Sequence, residues 1–171
     1  EAMTMATRIA VTNKGMLQQL DTPQNMYDHP DNMFVAGFIG SPAMNFFPGK
    51  IKKQDGKLFV ETTGFTVAIP ENRAKPYFDW ADKKVVFGIR PEDVKNPLYL
   101  PPNIHAETIS CKVDVIELMG NEIYLYLVSS GNSFVGRVDP RTSFRPGDDV
   151  QVALNMDNFH IFDPESEKAI R

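Results

Sequence analysis

The sequence predicts a mainly β fold, a barrel or a sandwich, preceded by a short helix–hairpin–helix segment. Three observations carry this. From Met44 onward, short apolar runs recur at regular spacing between turns that bear Gly or Pro. Several of these runs alternate with period two, so that one face is buried and the other wet. The first forty residues instead show helical spacing and cap signals.

Taken in order, Glu1 to about Ile9 is helix-like, with Ala2, Met5, Ala6 and Ile9 at helical spacing. No Ser, Thr, Asp or Asn stands ahead of it to satisfy the first N–H groups, so the reading is that an upstream piece of a longer protein is absent. Ile9-Ala10-Val11 and Met16 to Leu20 flank Asn13-Lys14-Gly15 and predict a hairpin. Thr22 is placed to cap a helix that has Pro23 at its first position and stops before His29-Pro30. A second helix is predicted from Asn32 to about Ile39, ended by Gly40.

Strands follow over Phe46–Lys53, Lys57–Thr63 and Phe65–Ile69, separated by Asp55-Gly56 and Gly64. Glu71 to Lys84 reads as irregular, anchored by Phe78 and Trp80. Val85–Ile89 is a short strand running into Arg90-Pro91-Glu92-Asp93, and the prolines of Asn96–Asn103 mark a loop. A second β block comprises Thr108–Glu117, with Ile109, Cys111, Val113 and Val115 facing one way, then Ile123–Val128, Phe134–Val138, Val150–Leu154 and His160–Phe162. Arg145-Pro146-Gly147-Asp148 has Pro and Gly placed for a type II turn.

Composition narrows the chemistry. The chain has 171 residues and a net charge of -4, which gives no bulk attraction for nucleic acid or anionic lipid. It has no apolar run of about 18 residues. Cys111 is the single cysteine, which rules out an internal disulfide, and it reads as a small buried hydrophobe. Pro48-Gly49-Lys50-Ile51 is the nearest approach to a phosphate loop. It lacks the hydroxyl residue after Lys and the first Gly, and reads as a turn into a strand. His29, His105 and His160 are too dispersed to suggest a metal site, and His160 reads as a packing or interface residue. The carboxylate pairs Glu92/Asp93 and Asp148/Asp149 read as solvated turns. Lys50, Lys52, Lys53 and Lys57 flank a hairpin and read as guards of an exposed edge strand. Phe46, Phe47, Tyr77, Phe78 and Trp80 read as core or interface aromatics rather than a base-stacking platform, because Asp79 and Asp82 beside Trp80 would repel phosphate.

An ordered set of stretches resembles one family. Glu1-Ala2-Met3-Thr4, Arg8-Ile9-Ala10-Val11, Thr22-Pro23 and Phe34-Val35-Ala36-Gly37-Phe38-Ile39-Gly40-Ser41-Pro42 resemble the end of the nucleotide-binding domain in ATP-binding subunits of ABC importers. The subgroup is the one that serves maltose, glycerol-phosphate and multiple-sugar uptake. Gly88-Ile89-Arg90-Pro91-Glu92-Asp93, Glu117-Leu118-Met119-Gly120-Asn121-Glu122, Arg145-Pro146-Gly147-Asp148 and His160-Ile161-Phe162-Asp163 resemble motifs of its C-terminal OB-like region, called TOBE.

The resemblance implies an ATPase-domain tail over 1–40 and an OB-like regulatory domain over 41–171. It implies a homodimer that works with permease subunits and sometimes a regulatory protein, held at the cytoplasmic face of the cell membrane. The family's ATP-binding motifs all precede the matching region. This chain is therefore expected to be no enzyme and to carry no cofactor and no nucleic acid, ATP and Mg belonging to the full-length parent. Dimer or regulatory contacts are expected at Arg90, Glu92, Asp93, Gly120, Glu122, His160 and Phe162, with Arg90 paired to Glu92 or Glu122 within the chain or across the dimer. Two alternatives stand beside this reading: a sensor of small oxyanions or sugars, and an OB-type oligonucleotide binder. On the truncation reading, Met5, Ile9, Val11 and Leu17 are expected to be exposed or covered by another chain.

Overall fold

The computed structural model describes residues 2–171. The N-terminal segment comprises α1 (Ala2–Met5), a hairpin of β1 (Ile9–Asn13) and β2 (Met16–Asp21), α2 (Pro23–Asp28) and α3 (Met33–Phe38). The first helix is thus shorter than its spacing suggested, and Glu1 lies outside the described residues. The hairpin turns through Lys14-Gly15 with φ of 51° and 78°, the left-handed pair that two-residue hairpins need. Thr22 Oγ1 accepts from the Asn25 N–H at 3.3 Å and Pro23 sits at the first helical position, as predicted. Asn32 Oδ1 caps α3 in the same way, accepting from the Val35 N–H at 2.9 Å.

The remainder is mainly β. β3 (Asn45–Gln54), β4 (Lys57–Thr62), β5 (Thr66–Ala68), β6 (Lys84–Ile89), β7 (Val94–Lys95), β8 (Ala106–Leu118), β9 (Ile123–Ser129), β10 (Asn132–Val138), β11 (Asp149–Asn155) and β12 (His160–Phe162) form two antiparallel five-stranded sheets. One has the order β12-β6-β3-β4-β5 and the other β10-β9-β8-β11-β7. Their inner faces share a single core. Phe47, Ile51, Val60 and Phe87 of the first sheet pack with Val113, Leu125, Phe134 and Leu154 of the second. Two sheets around one core agree with the mainly β barrel-or-sandwich reading drawn from turn spacing and period-two patterning. The Pro146-Gly147 turn forms as read, with Gly147 at φ 89° and the Asp148 N–H donating to Arg145 O at 3.1 Å.

Several local readings need correction. Between Lys75 and Trp80 the buried anchor is Tyr77, while Phe78 is largely exposed and Trp80 packs at the core's edge. Three-residue turns carry this segment, so its side chains do not follow a strand's alternation. In β8 the register shifts between Val113 and Val115, turning Val115 outward and letting Ile116 pack against the core instead. Pro48-Gly49-Lys50 lies inside β3, not in a turn. β3 is flanked by β6 and β4, so its lysines do not guard an edge. Cys111 is buried, as read, and burial raises its thiol pKa to about 11.

The N-terminal segment carries a small core of its own around Val11, Met26, Val35 and Ile39. It also covers part of the first sheet's outer face, where Met33 and Ala36 pack with Met44, Phe46, Val86 and Phe162. Val11 is therefore buried within the chain and Ile9 partly so, whereas Met5, Met16, Leu17 and Leu20 are exposed. Among the described residues no helix is long and apolar enough to cross a membrane.

Candidate functional site

Arg90 stands at the end of β6, just before Pro91, and is only 3% exposed. Its Nη1 donates to Ile39 O and its Nη2 to Tyr27 O, each at 2.8 Å, and the guanidinium lies 3.9 Å over the Tyr27 ring. Those two carbonyls close α3 and α2, where a helix leaves its last oxygens without partners and carries partial negative charge. A barrel residue therefore caps both helices of the N-terminal segment. Within the chain, among the described residues, Arg90 makes no ion pair with Glu92 or Glu122. The guanidinium is instead drawn to helix ends within its reach, and Glu122 Oε2 accepts from Arg137 Nε at 2.7 Å. Burial lowers the Arg90 pKa to about 10, opposed by nearby Asp93 and Asp28. Its Nε is the buried side-chain nitrogen left without a partner among the described residues.

The Asp93 carboxylate beside it is also held by hydrogen bonds. Asp93 Oδ1 accepts from Asn158 Nδ2 at 2.9 Å and Asn155 Nδ2 at 3.3 Å, and burial raises its pKa. Glu92 is also raised, first by burial. Neither is the freely solvated turn carboxylate that the sequence suggested, because the turn folds back against β10 and β11. His160 pairs in register with Gly88 and stacks on Phe162 at 6.3 Å. Burial, then the positive field of Arg90 and Arg73, lowers its pKa to about 3 and keeps the imidazole neutral. Gly88 is where these layers meet: a Cβ there would sit 2.7 Å from Met44 Sδ and 3.0 Å from the Phe162 ring.

Arg90, Asp93 and His160 thus line one cleft of about 410 Å³ between the end of α2 and the barrel. Phe162 lies fully buried beside it. Gly120 and Glu122 do not join them. They sit at the β8–β9 tip, where Gly120 turns with φ 88° and open space around it.

Two further residues brace the same cleft and escaped sequence reasoning. Arg73 donates to Asp157 O and to Phe159 O, the latter at 2.9 Å, and stacks on the Phe159 ring at 4.4 Å. Arg171 donates to His29 O and Pro30 O, each at 2.7 Å, and reaches Asp31 at 3.1 Å. Neither lies in a recognisable motif, since each binds backbone carbonyls that the fold alone presents. The arrangement has the chemistry of a clamp. Its cations are spent on carbonyls and rings, and no cluster of metal-binding side chains exists among the described residues.

Comparison with known proteins fits this geometry. The MalK OB fold domain profile matches residues 40–94 and the TOBE domain profile residues 87–162. The osmoprotective compounds uptake ATP-binding protein GgtA of Synechocystis sp. is 43% identical over 171 residues, which cover 99% of this chain and 46% of that protein. The oligosaccharides import ATP-binding protein MsmX of Bacillus subtilis is 43% identical over 173 residues, covering 100% of this chain and 46% of that protein. The multiple sugar-binding transport ATP-binding protein MsmK of Streptococcus mutans is 42% identical over 183 residues, with coverage of 100% and 48%. The chain spans about half the length of the curated relatives it matches. A crystal structure of the cytoplasmic molybdate-binding protein ModG superposes with a TM-score of 0.52 at 15% identity, over 70% of this chain and 96% of that one, a likeness of fold alone.

Proposed function

The chain belongs to the MalK-type OB and TOBE domains of ABC importer ATP-binding subunits, and from that premise we propose that it is the dimerisation and regulatory region of such a subunit. The parent would be a transport ATPase for sugars or related solutes, working as a homodimer with permease subunits at the inner face of the membrane. The observation that carries this reading is the Arg90 clamp. By holding the carbonyl ends of α2 and α3, the barrel is locked to the N-terminal segment, so contact between two barrels also fixes whatever precedes that segment. Met16, Leu17 and Leu20, exposed on the hairpin, offer an apolar face to the rest of the parent.

A chimera tests this. The present chain replaces the matching half of Bacillus subtilis MsmX, and oligosaccharide-dependent growth is scored. The chimera is expected to support growth, and its R90A variant to lose it while still hydrolysing ATP. A chimera that folds, hydrolyses ATP and supports growth equally with or without Arg90 overturns the reading.

A further inference from the structure

The tip of the β8–β9 hairpin is apolar in a way that its own fold does not use. Leu118 is 76% exposed, Val115 50% and Met119 47%. The bulge in β8 is what turns Val115 out, and the Met119 N–H closes the tip by donating to Glu122 O at 2.9 Å. Asp114 and Glu117 beside it are exposed and make no ion pair among the described residues, while Glu122 is neutralised by Arg137. The tip is thus apolar with a net negative flank.

On the outer face of the first sheet, next to the area covered by α3, lies a groove of about 580 Å³. Pro48, Val86 and Pro164 give it an apolar lining, and Lys50, Lys84 and Glu61 stand on its rim. Lys50 and Lys84 are direct cross-strand partners, a like-charge pairing that costs stability, and neither has an ion-pair partner within 4.0 Å among the described residues. Glu61 faces Lys50 from β4 and leaves Lys84 uncompensated. Since β3 is an internal strand, protection of a sheet edge does not explain these lysines.

We propose that the β8–β9 tip of one copy of this chain docks into the Pro48–Val86 groove of a second copy, reciprocally about a two-fold axis. Leu118 and Met119 fill the groove, and Glu117 meets Lys84. Such an exchange is self-complementary, with an apolar centre and a charged rim, as a closed dimer requires. The inference rests on the homodimer reading above and gives it residues.

Sedimentation equilibrium on five forms of the whole chain tests it: wild type, L118D, K84E, E117K and the K84E/E117K double variant. All the substituted side chains are exposed, and matching thermal midpoints confirm that folding is intact. Wild type should dimerise, L118D should weaken the dimer at least tenfold, and each single charge reversal should weaken it several-fold. The double variant should recover most of that loss, because the pair is rebuilt with its signs exchanged. A wild-type dimer that none of the substitutions alters overturns the docking while leaving the homodimer reading intact. A wild type that stays monomeric overturns both.

Discussion

Arg90 sets the chemistry of the junction by its geometry more than by its charge. The planar guanidinium reaches two carbonyls at once while stacking on Tyr27, a combination a lysine does not reproduce. Replacement by Ala should cost about 3 kcal/mol in urea unfolding, the sum expected for two charge-assisted bonds, and R90K should recover less than half of it. His160 makes a second prediction. Its pKa is about 3 in the folded chain and 6.5 when unfolded, so the folded state resists its protonation. Stability from this residue is complete above pH 6.5 and is lost as the pH falls toward 3. The stability difference between wild type and H160N should therefore shrink across that window, and a difference independent of pH would contradict the assignment. At this scale the sequence was only half legible. The Gly-Ile-Arg-Pro-Glu motif singled out Arg90, but its partners are backbone oxygens fifty and more residues away, which carry no side-chain signature. The same reason hid Arg73 and Arg171.

The elements were read more fully, because caps, turns and periodicity are local. Thr22, the Lys14-Gly15 turn and the Pro146-Gly147 turn all act where sequence placed them, and Asn32, read as the first helical residue, is the cap of α3. T22A should cost about 1 kcal/mol through loss of its cap. What sequence missed were events set by a neighbouring strand. The β8 bulge follows from register with β9, and the internal place of β3 follows from long-range pairing with β6. Gly49 shows the consequence. A Cβ there would lie 2.8 Å from the backbone oxygen of Glu61 on the adjacent strand, which cannot swing aside. G49A should thus lower the thermal midpoint by several degrees, whereas G56A, in open space, strains only its turn. The glycine that faintly suggested a phosphate loop is there because two strands approach closely.

For the whole molecule, the fold class was predictable because a β pattern of this length leaves few closed arrangements, and the ordered family motifs narrowed these to an OB and TOBE pair. The relation of the first forty residues to the barrel was not predictable. They are bound to it through Arg90, through Arg171 and through the apolar layer around Met44 and Phe162. Unfolding should therefore be a single cooperative transition shared by probes in both parts, such as Tyr27 and Trp80, with R90A splitting it into two. On the proposed homodimer, that coupling carries contact between barrels to the N-terminal segment. The most direct test is sedimentation equilibrium of the intact chain over a wide concentration range. A reversible monomer–dimer equilibrium that reaches dimer at high concentration is expected, and a single monomeric species throughout would rule out the homodimer.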